Sequence, residues 1–282
     1  MSNTKELVLS DKLNIKDGLN GRSKLTGTHM GFKTDILCTD EIGQTIFHSS
    51  NSSVIGGALF TLEKLFGVQS ALTIATLNEI MGFGNSGPSV IGMPADNTVC
   101  LFGVGTGGAG DSAVGSVYDV DFKDRELPSM IPFRVTSTEL STTDKDLYFG
   151  KKTLVSGKNA FYLKKFETTP TIKALWLDGA DGEDGSAVGP NVHTSERTEG
   201  IETFIEMNLK INKNDCREWF DESGEIEKAR VNTIGLFSAV PSTLDDGSVE
   251  YKNVKLFSML NINSEVLSSS KELNLRYRVY SA

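Results

Sequence analysis

The sequence predicts a mainly β fold: β-sandwich-like antiparallel sheets with two or three short helices and an extended N-terminal arm. Three observations carry that prediction. Glycine occurs 28 times in 282 residues, against roughly 7% in average proteins, which marks frequent turns and short elements. Short apolar or alternating runs recur between those glycines along the whole chain, the pattern of half-buried strands. Amphipathic helices alternating with strands, as a parallel βαβ sheet requires, do not occur, and there is no internal repeat or low-complexity tract.

Residues 1–30 are too polar to pack alone and read as an arm suited to strand addition on a neighbour. A first β-rich domain, 31–145, opens with a hairpin in which β-like runs at 32–38 and 44–48 flank the turn DEIG. In ALFTLEKLFGV, Leu59, Leu62, Leu65 and Phe66 fall at helical spacing. SALTIATLNEIMGFG starts like a strand and ends like a helix, at Leu77, Ile80 and Met81. A Gly/Pro loop at 82–92 precedes NTVCLFGVG, 97–105, a buried strand that runs into LFGVGTGGAGDS. GSVYDVDF sets Val117, Asp119 and Asp121 against Tyr118, Val120 and Phe122, as a half-buried strand does. Pro128 and Pro132 make LPSMIPFRVTSTEL an extended segment at a sheet edge or on the surface, because proline cannot donate to a central ladder.

A second β-rich domain, 146–282, begins where charge and Ser/Thr content rise in STTDKDLYFGKK. DLYFGKKTLVSGKNAFYLKKFE reads as short strands with glycine turns, and IKALWLDGADGEDG as an apolar strand entering an acidic glycine loop. ETFIEMNLKIN is long and strand-like, with an imperfect alternation of Phe204, Met207, Leu209 and Ile211. KNDCREWFDESG predicts a short helix capped by Asn214 or Asp215 and ended by Gly224. Further strands follow at ARVNTIGLFSAV, VEYKNVKLFSMLNI and ELNLRYRVYS. In the last, Leu273, Leu275, Tyr277 and Val279 share one face while Asn274, Arg276 and Arg278 share the other, the pattern of a final strand that closes a sheet.

Charge and composition narrow the function. A net charge of −9, with no dense cluster of Lys and Arg, argues against a nucleic-acid binder, which needs a basic face to displace counterions. No window reaches the ~18 uninterrupted apolar residues of a membrane span. The start, MSNTKELVLSDKLNIKDG, lacks the apolar run of a secretion signal. The expectation is a soluble chain made in a cytosol, with no membrane partner. Cys38, Cys100 and Cys216, odd in number and far apart, fit reduced thiols rather than a disulfide scaffold or a zinc site.

Local catalytic patterns fail on physical grounds. LFGVGTGGAGDS contains G-x-G-x-x-G in two overlapping frames, but a dinucleotide site needs a helix next, and DSAVGSVYDVDF offers none. There is no G-K-[ST] either. GFGNSGPSVIG resembles a serine-protease nucleophile box around Ser86, yet Pro88 replaces a glycine of the box. His29 and His48 also lie too near it in sequence to come from a separate barrel. In DGADGEDG, Asp178, Asp181, Glu183 and Asp184 are chemically suitable for calcium. Ala180 and Gly182 break the EF-hand pattern, so a solvated acidic loop is the first reading. His29, His48 and His193 form no metal or catalytic pattern. No catalytic residue and no cofactor is expected.

The order of segments carries the remaining information. A GTGG loop at 105–108 precedes PFR at 132–134, and a distal NTIGLF at 232–237 is followed by a last strand ending in YRVY at 277–280. This arrangement resembles virion structural proteins of tailed bacteriophages, in which the NTIGLF-like strand pairs with the last one, as in tail-collar and fibre-attachment domains. The resemblance implies a non-enzymatic neck, tail or baseplate component of the virion, made in the host cytoplasm. Its partners would be copies of itself, in a homo-oligomer, and other virion proteins. The interaction elements it implies are the N-terminal arm, Gly105, Gly107, Gly108, Pro132, Phe133 and Arg134, with Arg134 either in a fixed polar or ionic contact or solvated. Two alternatives stay open: a capsid-surface decoration protein, or a carbohydrate- or metal-binding β-sandwich module using the acidic loop and Trp176 or Trp219 as a stacking platform.

Overall fold

The computed structural model describes residues 33–50, 52–67, 70–72, 74–83, 96–110, 116–179, 184–189, 200–224, 229–245, 247–266 and 272–280. The N-terminal arm, residues 1–30, and most of the 82–92 loop lie outside them. The first hairpin follows the prediction: Lys33–Thr39 (β1) pairs antiparallel with Thr45–Ser49 (β2). In its turn the Asp40 carboxylate accepts the N–H groups of Ile42 and Gln44.

Ser52–Ser53 (β3) leads into Ile55–Phe66 (α1). This helix meets the sheet through its first turns, with Phe60 edge-on to Phe257 at 5.6 Å. Leu65 and Phe66, part of the expected apolar stripe, consequently stand exposed beyond the contact. Leu77–Met81 (α2) begins with a reciprocal cap, in which the Thr76 hydroxyl accepts from the Glu79 N–H and the Glu79 carboxylate from the Thr76 N–H. That cap makes the segment helical, and among the described residues the strand expected just before it does not form.

The remaining elements are Thr98–Gly105 (β4), Met130–Ile131 (β5), Arg134–Thr136 (β6), Thr142–Lys145 (α3), Tyr148–Thr153 (β7) and Asn159–Lys165 (β8). They continue with Thr171–Trp176 (β9), Ile201–Ile211 (β10), Arg217–Ser223 (α4), Arg230–Thr243 (β11), Val249–Val266 (β12) and Leu273–Tyr280 (β13). The described part of GSVYDVDF, residues 116–122, forms no strand: Val117 makes an isolated bridge to Ala109, and its neighbours are mostly exposed. Alternation yields a strand only where a sheet edge lies alongside, and the Gly108–Ala109 edge is too short to extend the ladder.

The strands form two antiparallel sheets. One runs β2-β1-β13-β10-β9, and the other runs β3-β12-β11-β4-β8-β6, with β5 on β4 and β7 on β8. Each sheet draws strands from both sides of residue 145. The expected division into 31–145 and 146–282 is therefore replaced by one interleaved sandwich. β13 lies between β1 and β10, inside its sheet rather than closing it.

The inner faces build the main core. Leu273, Leu275, Tyr277 and Val279 point inward as predicted, into the cluster that Phe102, Val104, Ile234, Leu236 and Leu260 supply from the opposite sheet. The far face of the larger sheet is covered too, with Leu101, Phe237 and Leu256 packed against Leu77 and Leu127. Strands buried on both faces read as continuous apolar runs, which accounts for CLFGV in β4 and IGLFSA in β11. The uneven alternation of β10 has its own cause. Met207, Leu209 and Ile211 face the core, while Phe204 is out of phase and lies on the outer face beneath the Arg278 guanidinium, 4.5 Å from its ring centre.

Candidate functional site

The glycine loop is built by close approach rather than by unusual dihedrals: none of Gly103, Gly105, Gly107 and Gly108 has a positive φ. A Cβ on Gly105 would lie 2.6 Å from the Pro128 carbonyl oxygen. The segment is fastened at both levels. The N–H groups of Thr106 and Gly107 donate to the carbonyls of Ser129 and Pro128, each at 3.1 Å. The Asn232 side chain then clamps the loop, accepting from the Gly108 N–H at 2.7 Å and donating to the Thr106 carbonyl at 2.9 Å. Two stretches singled out in the sequence, GTGG and NTIGLF, thus meet at one hydrogen-bonded joint.

The PFR stretch is extended as expected and leads into β6, the edge strand that ends the larger sheet, yet Pro132 and Phe133 themselves are buried. Phe133 donates its N–H to the Phe161 carbonyl and accepts from the Cys216 N–H, both at 2.8 Å. Its ring is fully buried, edge-on to Phe102 at 5.2 Å. Pro132, Gly105 and Gly108 are buried as well. These residues serve the chain's own core and are not contact surface, because their neighbours within the chain already cover them.

Arg134 leaves the core in an ionic contact made within the chain itself. Its Nε donates to Glu218 at 3.2 Å and its Nη1 to Asp144 at 3.4 Å, with the guanidinium 5.5 Å from the Tyr148 ring centre. Burial opposes the charge on Arg134, but Glu218 and Asp144 outweigh it and hold its pKa above the ordinary arginine value. For Glu218 burial wins instead and pushes its carboxyl up, since its second oxygen is buried without a hydrogen bond among the described residues.

Tyr148 connects this surface to a charged pair inside the sandwich. Its hydroxyl donates to Asp215 Oδ1 at 2.7 Å, and Lys164 Nζ lies 2.5 Å from Asp215 Oδ2 and 2.7 Å from the Lys210 carbonyl. The two charged side chains are 2% and 1% exposed. Burial lowers the Lys164 pKa against the pull of Asp215, and it raises that of Tyr148 with the carboxylate's help. The expected helix cap at Asn214 or Asp215 is not made. Cys216 occupies that position in a left-handed conformation, φ 65°, while Gly224 ends α4 as predicted. A cavity of about 280 Å³, lined by Arg134, Tyr148, Asn212, Lys213 and Asp215 among others, opens beside the pair.

At the acidic loop, Asp178 accepts from the Ser186 N–H and hydroxyl at 2.7 and 2.6 Å. Asp184 makes a two-bond fork with Arg278 at 2.5 and 2.6 Å, and Arg278 also reaches Glu206 at 2.9 Å. Asp181 and Glu183 lie outside the described residues. Both described acids are engaged by protein donors, and no three His, Cys, Asp or Glu side chains gather as a metal site among the described residues.

Hydrogen bonds from Arg278 hold the Asp184 carboxyl below the ordinary aspartate value. A folded pKa below the unfolded one gives stability that is full above the unfolded value and disappears as pH falls through the folded one. Asp184 is 46% exposed, so screening keeps the effect under about 1 kcal/mol. The Tm of Asp184→Asn is expected below wild type at neutral pH, with the gap closing on the acid side. A gap of constant size across pH would show that ionisation of Asp184 contributes nothing.

The other sequence candidates do not converge on a reactive centre among the described residues. His48 bonds to Asp35 across the β1–β2 hairpin, and Ser86, His29 and His193 lie outside the described residues. Trp176 is buried, and Trp219 is half-buried against both apolar clusters. None of the three cysteines forms a disulfide, and no described helix is long and apolar enough to cross a membrane. NTIGLF and YRVY do not pair in a ladder as expected. They belong to opposite sheets and face each other across the core, where Ile234 and Leu236 share a cluster with Tyr277. No family model, curated protein or solved structure matches the chain.

Proposed function

We propose that the chain is a non-enzymatic structural component of a tailed-phage particle, at the neck, tail or baseplate, acting through contacts with copies of itself and with neighbouring virion proteins. The order of GTGG, PFR, NTIGLF and YRVY along the chain supports the phage assignment. Subunit contact is supported by one row of side chains. Val279, Ile205 and Ile172 are cross-strand neighbours on the core-facing side of the smaller sheet. Their exposure rises from 8% through 40% to 81% toward the β9 edge. The sandwich's own apolar face therefore continues past its cover, as a subunit contact requires.

Light scattering on the purified chain tests this reading. Wild type is expected to be larger than a monomer, and Ile172→Asp, with an unchanged circular dichroism spectrum, to return it to monomer. A wild-type chain that stays monomeric when concentrated and is missing from purified particles would overturn the proposal. Localising the chain in intact particles separates neck, tail or baseplate from capsid decoration.

A further inference from the structure

Lys164 and Asp215 are placed for more than an ion pair. We infer that they condense into an intramolecular amide, Lys164 Nζ to Asp215 Cγ, which staples β8 of the larger sheet to the turn that follows β10 of the smaller one. Nζ touches Oδ2 at 2.5 Å. It can therefore be no further from Cγ than that contact plus one carbon–oxygen bond, about 3.7 Å, a small approach short of the roughly 3–3.5 Å of a near-attack arrangement. The nucleophile is held between the rings of Phe133 and Tyr148, 5.8 and 5.3 Å from their centres. The acceptor is held by the Asn212 N–H on Oδ2 at 2.8 Å and the Tyr148 hydroxyl on Oδ1. Both are sealed from solvent, where a charged pair is at its least stable relative to neutral partners.

The step balances without an oxidant or co-reactant. The ammonium passes one proton to Oδ2, leaving a neutral amine and a neutral acid. The nitrogen lone pair then forms the C–N bond at Cγ, and the carbonyl electron pair moves onto Oδ1, where the Tyr148 hydroxyl receives the developing charge. A second proton moves from nitrogen to Oδ2, the C–Oδ2 bond breaks with its electron pair, and water leaves as the carbonyl reforms at Oδ1. The adjoining cavity, lined by Tyr148, Asn212 and Asp215, gives that water a way out. The product keeps the polar contacts that matter: its N–H donates to the Lys210 carbonyl, and its oxygen accepts from Tyr148. Only the Asn212 N–H loses its acceptor, beside a cavity that Asn212 lines.

Intact mass of the full-length chain, measured after denaturation, tests this directly and does not depend on the phage assignment. Wild type is expected to be lighter than its sequence mass by one water. Its protease digest is expected to contain a branched peptide joining the Lys164 segment to the Asp215 segment. Lys164→Arg keeps the positive charge and removes the nucleophile, so its mass is expected to equal the sequence mass. A wild-type chain at full sequence mass overturns the inference, and so does a water deficit that persists in Lys164→Arg. Should that variant fail to fold, the branched peptide in wild type decides alone: present, the bond stands, and absent, it falls.

Discussion

Phe102→Ala is expected to lower stability by about 3–5 kcal/mol, the usual cost of emptying a large aromatic site in a core. Phe102 is fully buried in β4, where its ring meets Phe133 edge-on at 5.2 Å and stacks on Phe166 at 6.5 Å. Its backbone is anchored on both sides, opposite Leu236 of β11 and Lys164 of β8. Neighbours fixed in two ladders have little freedom to collapse into the space, which places the variant toward the upper end of that range. The total stability of a domain is about 5–15 kcal/mol, so the loss takes a large share of it. Denaturant titration should show the midpoint falling sharply with an unchanged slope. Phe102→Leu, which keeps most of the volume, should cost clearly less. A wild-type midpoint for the alanine variant would mean that the two sheets do not depend on this contact.

The elements carried by local pattern are legible in the amino-acid sequence. The hairpin at 32–48, the run CLFGV, the face shared by Leu273, Leu275, Tyr277 and Val279, and Gly224 after its helix follow from periodicity and turn chemistry alone. What depends on distant partners is not. Asp215 has the chemistry of a helix cap, and only the arrival of Lys164 from a strand 51 residues earlier shows that its carboxylate is spent inside the core. The one trace is a lysine in strongly apolar company, AFYLKKF. Likewise the alternation of GSVYDVDF is genuine, but among the described residues it finds only the isolated bridge from Val117 to Ala109. The two-domain division fails for the same reason, since composition records local change and says nothing of β1 pairing with β13 at the far end of the chain.

Gly108→Ala tests whether the glycine loop is a joint or merely a bend. The new Cβ would fall within sub-contact range of the Thr233 hydroxyl and the Asn232 carbonyl, and 2.5 Å from Asn261 Oδ1. No side-chain rotation relieves this, because the Asn232 carbonyl is backbone held in β11. The loop must therefore lift, which strips the Gly108 N–H from Asn232 Oδ1 and the Gly108 carbonyl from the Tyr118 N–H. Overpacking costs about 1–3 kcal/mol and a buried, unsatisfied N–H about 1–3 kcal/mol more. Because lifting the loop trades one penalty for the other, a net loss of about 1–3 kcal/mol is expected. Gly189 has open space around its Cβ position and no positive φ, so Gly189→Ala should stay within about 0.5 kcal/mol of wild type. Trimming Thr233 to alanine alongside Gly108→Ala should leave most of the loss in place, since the backbone clash remains. If that double variant instead regains wild-type stability, the clash is with the hydroxyl alone and the loop is free to move away from β11.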